Sequence, residues 1–171
     1  MQIPLRTEGG YHVIIESPRG SGNKIKYDPD LRAFLWSRPL ALGLSYPFDW
    51  GFFPQTIAPD GDPLDAFVLV DAPTFPGLVI PCRPVAVLEL EQNSKTRKRR
   101  ERNDRVLVVP LKAPRSDGLR DLADLPVRQR EEMEQFFVAA TFGEGKDPKI
   151  LGWKGAREAE QLISSSARRR A

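Results

Sequence analysis

Short apolar runs with strand-like patterns dominate the chain from residue 11 to residue 109. Residues 11–16 predict one strand, and residues 25–27 and 33–36 predict a pair joined by a turn at Asp28-Pro29-Asp30. Further strands are predicted at the apolar or β-branched runs 50–53, 66–70, 79–91 and 105–109. Pro81 and Pro84 interrupt the longest run, which predicts bulges or an edge position there.

The apolar period changes to that of a helix further along the chain. Asp124 is predicted as an N-cap with Pro126 in the first turn, and the helix is predicted to run to Thr141. Its predicted buried face consists of Val127, Met133, Phe136, Phe137 and Ala140. A second helix is predicted from about Lys154 to Ala167, burying Ala156, Ala159, Leu162 and Ile163. Many short strands followed by two helices predict a mainly β (α+β) protein, a small β-barrel with helices packed on it.

The size and composition of the chain place it among ordinary globular proteins. With 171 residues, 40% of them hydrophobic, it is expected to form a single domain over residues 1–171. The lone Cys82 excludes an intramolecular disulfide framework. No apolar run is long enough to cross a bilayer, and residues 1–10 lack the apolar core of a secretory signal. We therefore expect a cytoplasmic protein with no membrane partner.

The small net charge of +3 hides a strongly basic segment. Seven Lys and Arg residues lie between Lys95 and Arg105, and three more arginines occupy the tail at 168–171. We interpret the first group as a solvated hairpin tip at about 93–104. An OB-like nucleic-acid-binding protein that uses this hairpin is the alternative. No aromatic residue interrupts the run to stack on bases, so nucleic acid is the less favoured partner.

The segment Asp60-Gly61-Asp62-Pro63-Leu64-Asp65 carries three carboxylates within six residues. Like charges this close repel one another unless a cation neutralises them, and oxygen ligands suit hard cations such as Mg²⁺. A solvated turn is the other interpretation, since Asp, Gly and Pro are common turn residues. Glu16, Lys26, Arg38 and Asp104 lie near predicted strand ends. Carboxylates facing Lys and Arg are what a metal-bound phosphate substrate requires.

Together these residues resemble the soluble family I inorganic pyrophosphatases, from about residue 11 to residue 165. The acidic segment matches the family signature Asp-Gly-Asp-Pro-x-Asp. Other similar segments are Val13–Glu16, Ile25–Tyr27, Arg38, Tyr46–Gly51, Cys82–Val85, Asn103–Arg105 and Gly152-Trp153. The resemblance implies a five-stranded OB-like barrel with two C-terminal helices and Mg²⁺-dependent hydrolysis of pyrophosphate, with Mn²⁺ or Co²⁺ as other candidate metals. It also implies a homo-oligomer, which in bacteria is often a hexamer.

The resemblance also implies roles for the acidic residues. Asp60, Asp65 and Asp104 would hold the activating metals, and Glu16 would bind a metal that arrives with the substrate, or its water shell. Asp62 would accept a proton from the attacking water. A metal-bound water ionises far more readily than bulk water, so a modest carboxylate base suffices.

The phosphate-binding side of the resemblance is less complete. Lys26 and Arg38 would grip the phosphates, Arg105 would replace a phosphate-binding lysine, and Trp50 stands where the family usually has a tyrosine near the substrate. Asp28 replaces a glutamate. Glu91-Gln92-Asn93 stands where the family has an acidic pair, with Glu91 as the one carboxylate that would substitute for it.

A tyrosine followed by Lys or Asn is also missing after Phe137, where the chain reads Val138-Ala139-Ala140-Thr141. Lys146 or Lys149 would have to supply the lost contacts. We therefore expect the metal-binding aspartates to be present and some of the phosphate-binding side chains to be missing. A divergent member with weak activity, or with another phosphoanhydride as its substrate, is accordingly the alternative function.

Overall fold

The computed structural model describes residues 3–94 and 98–168, and this part of the chain contains ten strands and two α-helices. The strands are β1 (Arg6–Thr7), β2 (Gly10–Ser17), β3 (Asn23–Asp28), β4 (Ala33–Pro39), β5 (Asp49–Phe52), β6 (Asp65–Val68), β7 (Val79–Asn93), β8 (Arg100–Arg102), β9 (Arg105–Pro110) and β10 (Lys149–Gly155). The helices are α1 (Val127–Ala140) and α2 (Ala156–Ser166).

Five strands close into a ring, which confirms the predicted barrel. The order is β2-β5-β6-β9-β7, and β7 pairs back onto β2. The β6–β9 pair is parallel, and the other pairs of the ring are antiparallel. The 15-residue β7 also pairs with β8 and β10, so the edge position considered for it is wrong. The bulge is confirmed, because the register with β9 shifts between Pro84 and Ala86.

The predicted strand pair at 25–27 and 33–36 is confirmed as a separate two-stranded sheet of β3 and β4. The Asp28 carboxylate accepts hydrogen bonds from the backbone N–H groups of Asp30 and Leu31, both at 2.9 Å, and so closes the turn. Ser17 ties this sheet to the barrel, since its Oγ accepts from the N–H of Ile25 at 2.9 Å. Lys26 and Arg38 are therefore held beside the barrel by β3 and β4.

Both predicted helices are present, but α1 begins later than expected. Pro126 occupies its N-cap position, so the prediction of Asp124 as N-cap is wrong. Asp124 belongs instead to a short 3₁₀ turn, where its carboxylate accepts from the backbone N–H groups of Arg120 and Asp121. Val127 is exposed and lies off the buried face. Within the described residues, no helix is long and apolar enough to cross a bilayer.

The helices cover two different parts of the hydrophobic core. Ala159 and Ile163 of α2 pack into a cluster with β2, β6 and the buried Cys82. Met133, Phe136 and Phe137 of α1 pack into a second cluster that includes Phe48, Phe67, Leu88 and Leu107. Phe67 of β6 lies 5.2 Å from Phe137, centroid to centroid. These aromatic contacts fix the C-terminal end of α1 against the barrel, next to the residues described below.

Gly51 of β5 offers a direct test of the barrel. A Cβ at this position would lie 2.1 Å from the carbonyl oxygen of Ile14 on β2, a contact that only a backbone shift can relieve. We expect Gly51→Ala to lower the free energy of unfolding by about 2–3 kcal/mol. Urea denaturation would measure the loss. Gly118→Ala is the control, because no atom lies within 4 Å of its added Cβ. Equal stability of the two variants would contradict the β2–β5 pairing.

Candidate active site

A cleft opens between the barrel, the β3–β4 sheet and the C-terminal end of α1. Its polar lining consists of Lys24, Lys26, Arg38, Tyr46, Asp60, Asp62, Asp65, Gln92, Asn103, Arg105, Thr141 and Lys146. Its apolar wall includes Trp50, Leu90, Phe136 and Phe137. The structure therefore brings together seven of the nine residues predicted for the site, namely Lys26, Arg38, Trp50, Asp60, Asp62, Asp65 and Arg105.

The acidic loop before β6 owes its shape to short local hydrogen bonds. Gly61 adopts φ +87°, which favours glycine, and its N–H donates to the carbonyl of Ala58 at 2.9 Å. The Asp62 N–H donates to the Asp60 carboxylate at 3.2 Å. Burial, and then the charge of Asp65, raise the pKa of Asp60 above its ordinary value. The loop thus presents three carboxylates to one cleft, with negative charge in excess around Asp60 and Asp65.

Two cations of the cleft lie against two of these carboxylates. Lys26 Nζ is 3.2 Å from Asp62 Oδ2, and Arg105 Nη1 is 2.8 Å from Asp65 Oδ2. The first pair is nearly half exposed, whereas Arg105 is buried. Opposite charges therefore meet across the cleft, as the sequence predicts, and the Asp65 pair is the better shielded from water.

Arg105 has contacts on several sides. Nη1 also donates to the backbone carbonyl and side-chain oxygen of Asn103, and the guanidinium lies 5.0 Å from the centroid of the Trp50 ring. These contacts hold Arg105 as the counter-ion of Asp65 and give Trp50 a packing role beneath it. The phosphate-binding role assigned to Arg105 stays a prediction.

Glu16 lies beside the cleft rather than in its lining. It faces a neighbouring hollow of about 380 Å³ that shares Lys26, Asp62 and Asp65 with the cleft. Its carboxylate is buried and accepts a hydrogen bond from the Tyr27 N–H at 2.7 Å. Burial, assisted by the charge of Asp65, raises the pKa of Glu16 to about 7. A cation near Asp65 would favour the charged form of this group.

Asp104 is placed differently from its prediction. Its carboxylate accepts from the Leu90 N–H at 3.0 Å and from Arg102 Nη2 at 2.8 Å, and it does not line the cleft. Asn103 lines the cleft instead, two positions before Arg105. Successive side chains of extended backbone point to opposite sides, so Asn103 and Arg105 share one side and Asp104 takes the other. The alternation around Arg105 is the signal that could have found Asn103.

The same alternation brings an unexpected amide into the cleft. Gln92 lines it, whereas Glu91 forms an ion pair with Arg100 at 2.9 Å. Gln92 is 1% exposed, and neither of its amide atoms has a hydrogen-bond partner among the described residues. A buried amide without partners is costly, so a group bound in the cleft would satisfy it. Glu91, the carboxylate suggested as a substitute for the acidic pair, is not in the lining.

The region after Phe137, where the sequence lacks the expected tyrosine and lysine, forms part of the cleft lining. Ala140 and Thr141 line the cleft with short side chains, and Lys146 contributes the cation. Lys149, the other candidate, is exposed on β10 and does not line the cleft. The sequence alone did not single out Lys24, Gln92, Asn103 or Glu144.

The basic hairpin is only partly described. Residues 95–97 of the predicted tip and 169–171 of the predicted tail lie outside the described residues. Arg100 lies against Glu91 and Asp147, and Arg102 against Glu89 and Asp104, each at 2.8–2.9 Å. These two arginines form ion pairs with carboxylates of the same molecule. Their charge is therefore partly neutralised, which argues against a nucleic-acid-binding surface.

With this geometry established, the comparison with known sequences is decisive. The profile of the family described as "Inorganic pyrophosphatase" matches residues 13–171, which is most of the chain. The chain belongs to the inorganic pyrophosphatase family.

Individual relatives in this family are similar over nearly their whole length. An inorganic pyrophosphatase of Synechocystis sp. is 40% identical over 154 residues, covering 90% of this chain and 88% of the relative. One of Haloferax volcanii is 37% identical, covering 89% and 83%. The crystal structure of the inorganic pyrophosphatase from Thermus thermophilus superposes with a TM-score of 0.87 at 35% identity, covering 96% of this chain and 94% of that one.

Membership of the inorganic pyrophosphatase family implies a divalent metal cofactor, and the cleft can be tested for it. Among the described residues, no three His, Cys, Asp or Glu side chains form a ready metal cluster. Asp60, Asp62 and Asp65 nevertheless bring hard oxygen donors to one cleft, where Gln92 adds a buried amide oxygen without a partner. The donor chemistry therefore fits a divalent cation, with fewer carboxylates in the cleft than the sequence predicts.

Proposed function

We propose that this member of the inorganic pyrophosphatase family hydrolyses pyrophosphate to two phosphates in the cleft, with Mg²⁺ as its metal. The observation that carries the proposal is the acidic loop Asp60–Asp65 facing Lys26 and Arg38 across one cleft. Phosphoryl transfer to water needs carboxylates that hold a cation and, facing them, side chains that hold the phosphate groups.

Lys26 and Arg38 bind the phosphate oxygens in this proposal. Arg38 Nη1 donates to the Pro39 carbonyl at 2.9 Å and Nη2 to the Ala140 carbonyl at 2.6 Å, so its guanidinium is oriented before substrate binds. Lys26 reaches Asp62 from β3 and places positive charge next to the acidic loop. Both cations attract the polyanionic substrate and hold one phosphorus atom near the carboxylates.

Asp60, Asp65 and the amide oxygen of Gln92 would hold the metal. When bound, the metal lowers the pKa of a water molecule and neutralises charge on the phosphate oxygens. Asp62 accepts the proton of the attacking water, whose oxygen bonds to one phosphorus as the bridging P–O bond breaks. Its carboxylate is nearly half exposed, which allows the proton to leave to solvent.

The remaining predicted residues have supporting places in the proposal. Glu16 would bind a metal, or its water shell, from the neighbouring hollow. Asp104 would have to turn away from Arg102 and Leu90 to bind a metal, and we assign it no step. A cytoplasmic location and a homo-oligomeric assembly belong to the same proposal. Another phosphoanhydride is the second candidate substrate, because Ala140 and Thr141 line the cleft where the resemblance implies a tyrosine and a lysine that contact phosphate.

The test is phosphate release from pyrophosphate by purified protein, with Mg²⁺ and without it. We expect metal-dependent release that Asp62→Asn slows by about 100-fold or more, because the proton acceptor is lost while the shape is kept. Asp71→Asn, a change at an exposed carboxylate outside the cleft, is the matched control and should leave the rate unchanged. Tripolyphosphate and nucleoside triphosphates are assayed in parallel. Faster phosphate release from one of them than from pyrophosphate would identify it as the preferred substrate.

Two outcomes would refute the proposed function. One is the absence of phosphate release with Mg²⁺, Mn²⁺ and Co²⁺ alike. The other is release that Asp62→Asn and Asp71→Asn leave equally unchanged, which would show that the acidic loop does not carry the chemistry.

A further inference from the structure

Arg105 and Asp65 form a shielded ion pair at the acidic loop. Arg105 Nη1 lies 2.8 Å from Asp65 Oδ2, and the two side chains are 7% and 22% exposed. The other ion pair of the loop, between Lys26 and Asp62, is 41% and 45% exposed. Water therefore screens the Arg105 pair less, and separating it would leave a buried charge without a partner.

Arg105 is held against Asp65 by hydrogen bonds and by aromatic rings. Its Nη1 donates to the backbone carbonyl of Asn103 at 2.7 Å and also to the side-chain oxygen of that residue. The guanidinium carbon lies 5.0 Å from the centroid of the Trp50 ring and 5.9 Å from that of Phe137. A guanidinium keeps its proton at every physiological pH, so this positive charge is permanent. Asp65 is thus neutralised before any metal binds.

Two lysines add positive charge around the same carboxylate at longer range. Asp65 interacts electrostatically with both Lys24 and Lys26. Asp60 differs, because no Lys or Arg nitrogen of the described residues lies within 4 Å of its carboxylate, and Arg105 reaches it only at longer range. Negative charge that a bound cation could neutralise therefore remains at Asp60, next to Asp65.

The cleft carries no excess of negative charge even before a metal binds, when all its groups are counted as ionised. Five cations line it, namely Lys24, Lys26, Arg38, Arg105 and Lys146. Three carboxylates line it, those of Asp60, Asp62 and Asp65, and two lie beside it, namely Glu16, which shares the neighbouring hollow with Arg168, and Glu144, which contacts Lys24, Arg38 and Lys146. One divalent cation makes the cleft positive, so a second one would be repelled.

Two amides line the cleft where carboxylates would be needed to hold a second metal. Gln92 and Asn103 face the cavity, whereas their chain neighbours Glu91 and Asp104 pair with arginines outside the lining. Sites for two metals hold the ions about 3.5–4 Å apart, and at that separation anionic ligands must offset the repulsion between the ions. An amide oxygen can bind a hard cation but brings no negative charge.

We propose that Arg105 takes the place of a second divalent cation at Asp65, so that the protein without substrate binds a single divalent cation in the cleft. Asp60, Asp65 and the amide oxygen of Gln92 would hold that ion, and Asn103 keeps Arg105 at Asp65. The inference rests on the proposed function for the identity of the site. A further cation enters only with the substrate, whose phosphate groups bring their own negative charge.

The test is the number of Mn²⁺ ions bound per chain, measured by equilibrium dialysis without substrate. The double variant Asp60→Asn and Asp65→Asn lacks both carboxylates and gives the number of ions bound outside the cleft. Above that background, we expect wild type to bind one ion with a dissociation constant below about 0.1 mM. Arg105→Met should bind two, because it leaves Asp65 to a second cation. Arg105→Lys keeps the charge and should bind one.

Arg115→Met, at an exposed arginine outside the lining, is the matched control and should also bind one ion. Asn103→Asp tests the same charge balance without removing Arg105. It keeps an acceptor for the guanidinium, adds one negative charge to the cleft and should bind two ions. Near-ultraviolet circular dichroism verifies that each variant keeps the fold.

Two results would overturn the inference. One is a wild-type protein that binds no ion or two ions in the cleft, and the other is a single ion in both Arg105→Met and Asn103→Asp. Phosphate release is assayed separately, so the proposed function is tested on its own. One ion in wild type and two in the variants, in a protein that releases no phosphate, would support the inference and refute the proposed function.

Discussion

Replacing Asp65 with asparagine is expected to lower the rate of metal-dependent phosphate release by at least about 100-fold. Asp65, like Asp62, lines both the cleft and the neighbouring hollow. Its charge also contributes to the raised pKa of Glu16 and of Asp60, so it lies at the centre of the negative charge that a metal would neutralise. Asparagine keeps the size of the side chain and removes that charge. Metal affinity and rate should therefore fall together.

The measurement is a Mg²⁺ titration of the rate, performed on wild type, Asp65→Asn and the exposed-site control Asp117→Asn. We expect the metal concentration for half-maximal rate to rise by about tenfold or more in Asp65→Asn and to stay constant in the control. Arg105 retains its bonds to Asn103 in the variant, and near-ultraviolet circular dichroism verifies that the fold persists. An unchanged titration curve would show that Asp65 does not bind the metal.

The second large effect concerns stability and involves Glu16. In metal-free buffer above pH 7, Glu16→Gln should be more stable than wild type by about 3 kcal/mol. The pKa of Glu16 rises from its ordinary value of 4.5 to about 7 on folding, chiefly through burial. The folded protein therefore holds a proton that the unfolded chain releases, and its stability falls as pH rises between these two values. Glutamine keeps the acceptor for Tyr27 and carries no charge.

Urea denaturation in EDTA from pH 4.5 to pH 8.5 measures this difference. The stability gap between Glu16→Gln and wild type should be near zero at the acid end, widen up to about pH 7, and stay constant above it. Glu8→Gln, at an exposed glutamate between β1 and β2, is the control and should follow wild type. A pH-independent gap would mean that Glu16 titrates normally. Added Mg²⁺ should narrow the gap if a cation stabilises the Glu16 carboxylate.

The relation between sequence and fold is clearest for the strands. Short apolar and β-branched runs predicted the strands that form the ring, because strands buried on both faces, such as β6 and β9, leave a continuous apolar run in the sequence. β10 was not predicted as a strand, since Gly152 disrupts its pairing with β7 and its residues are only partly buried. The N-terminus of α1 was misplaced because Asp124 ends a preceding 3₁₀ turn, where its carboxylate accepts from the backbone N–H of the N-cap residue Asp121.

The sequence by itself determined most of the strands, the two helices and the acidic loop, since each depends on residues that are neighbours along the chain. The tertiary structure closed the ring, because β2 pairs with the distant β7 and β6 with β9. The tertiary structure alone decided which side chains share the cleft. In two places the side chain that lines the cleft lies one position away from the predicted residue: Asn103 lines it instead of Asp104, and Gln92 instead of Glu91. A strand turns successive side chains to opposite sides, so a shift of one position decides which side chain enters the cleft. Lys146 and Glu144 join Lys24 and Arg38 only after α1 packs on the barrel, more than 100 residues further along the chain. The local sequence pattern cannot predict these contacts, because they depend on how elements distant in the chain pack together.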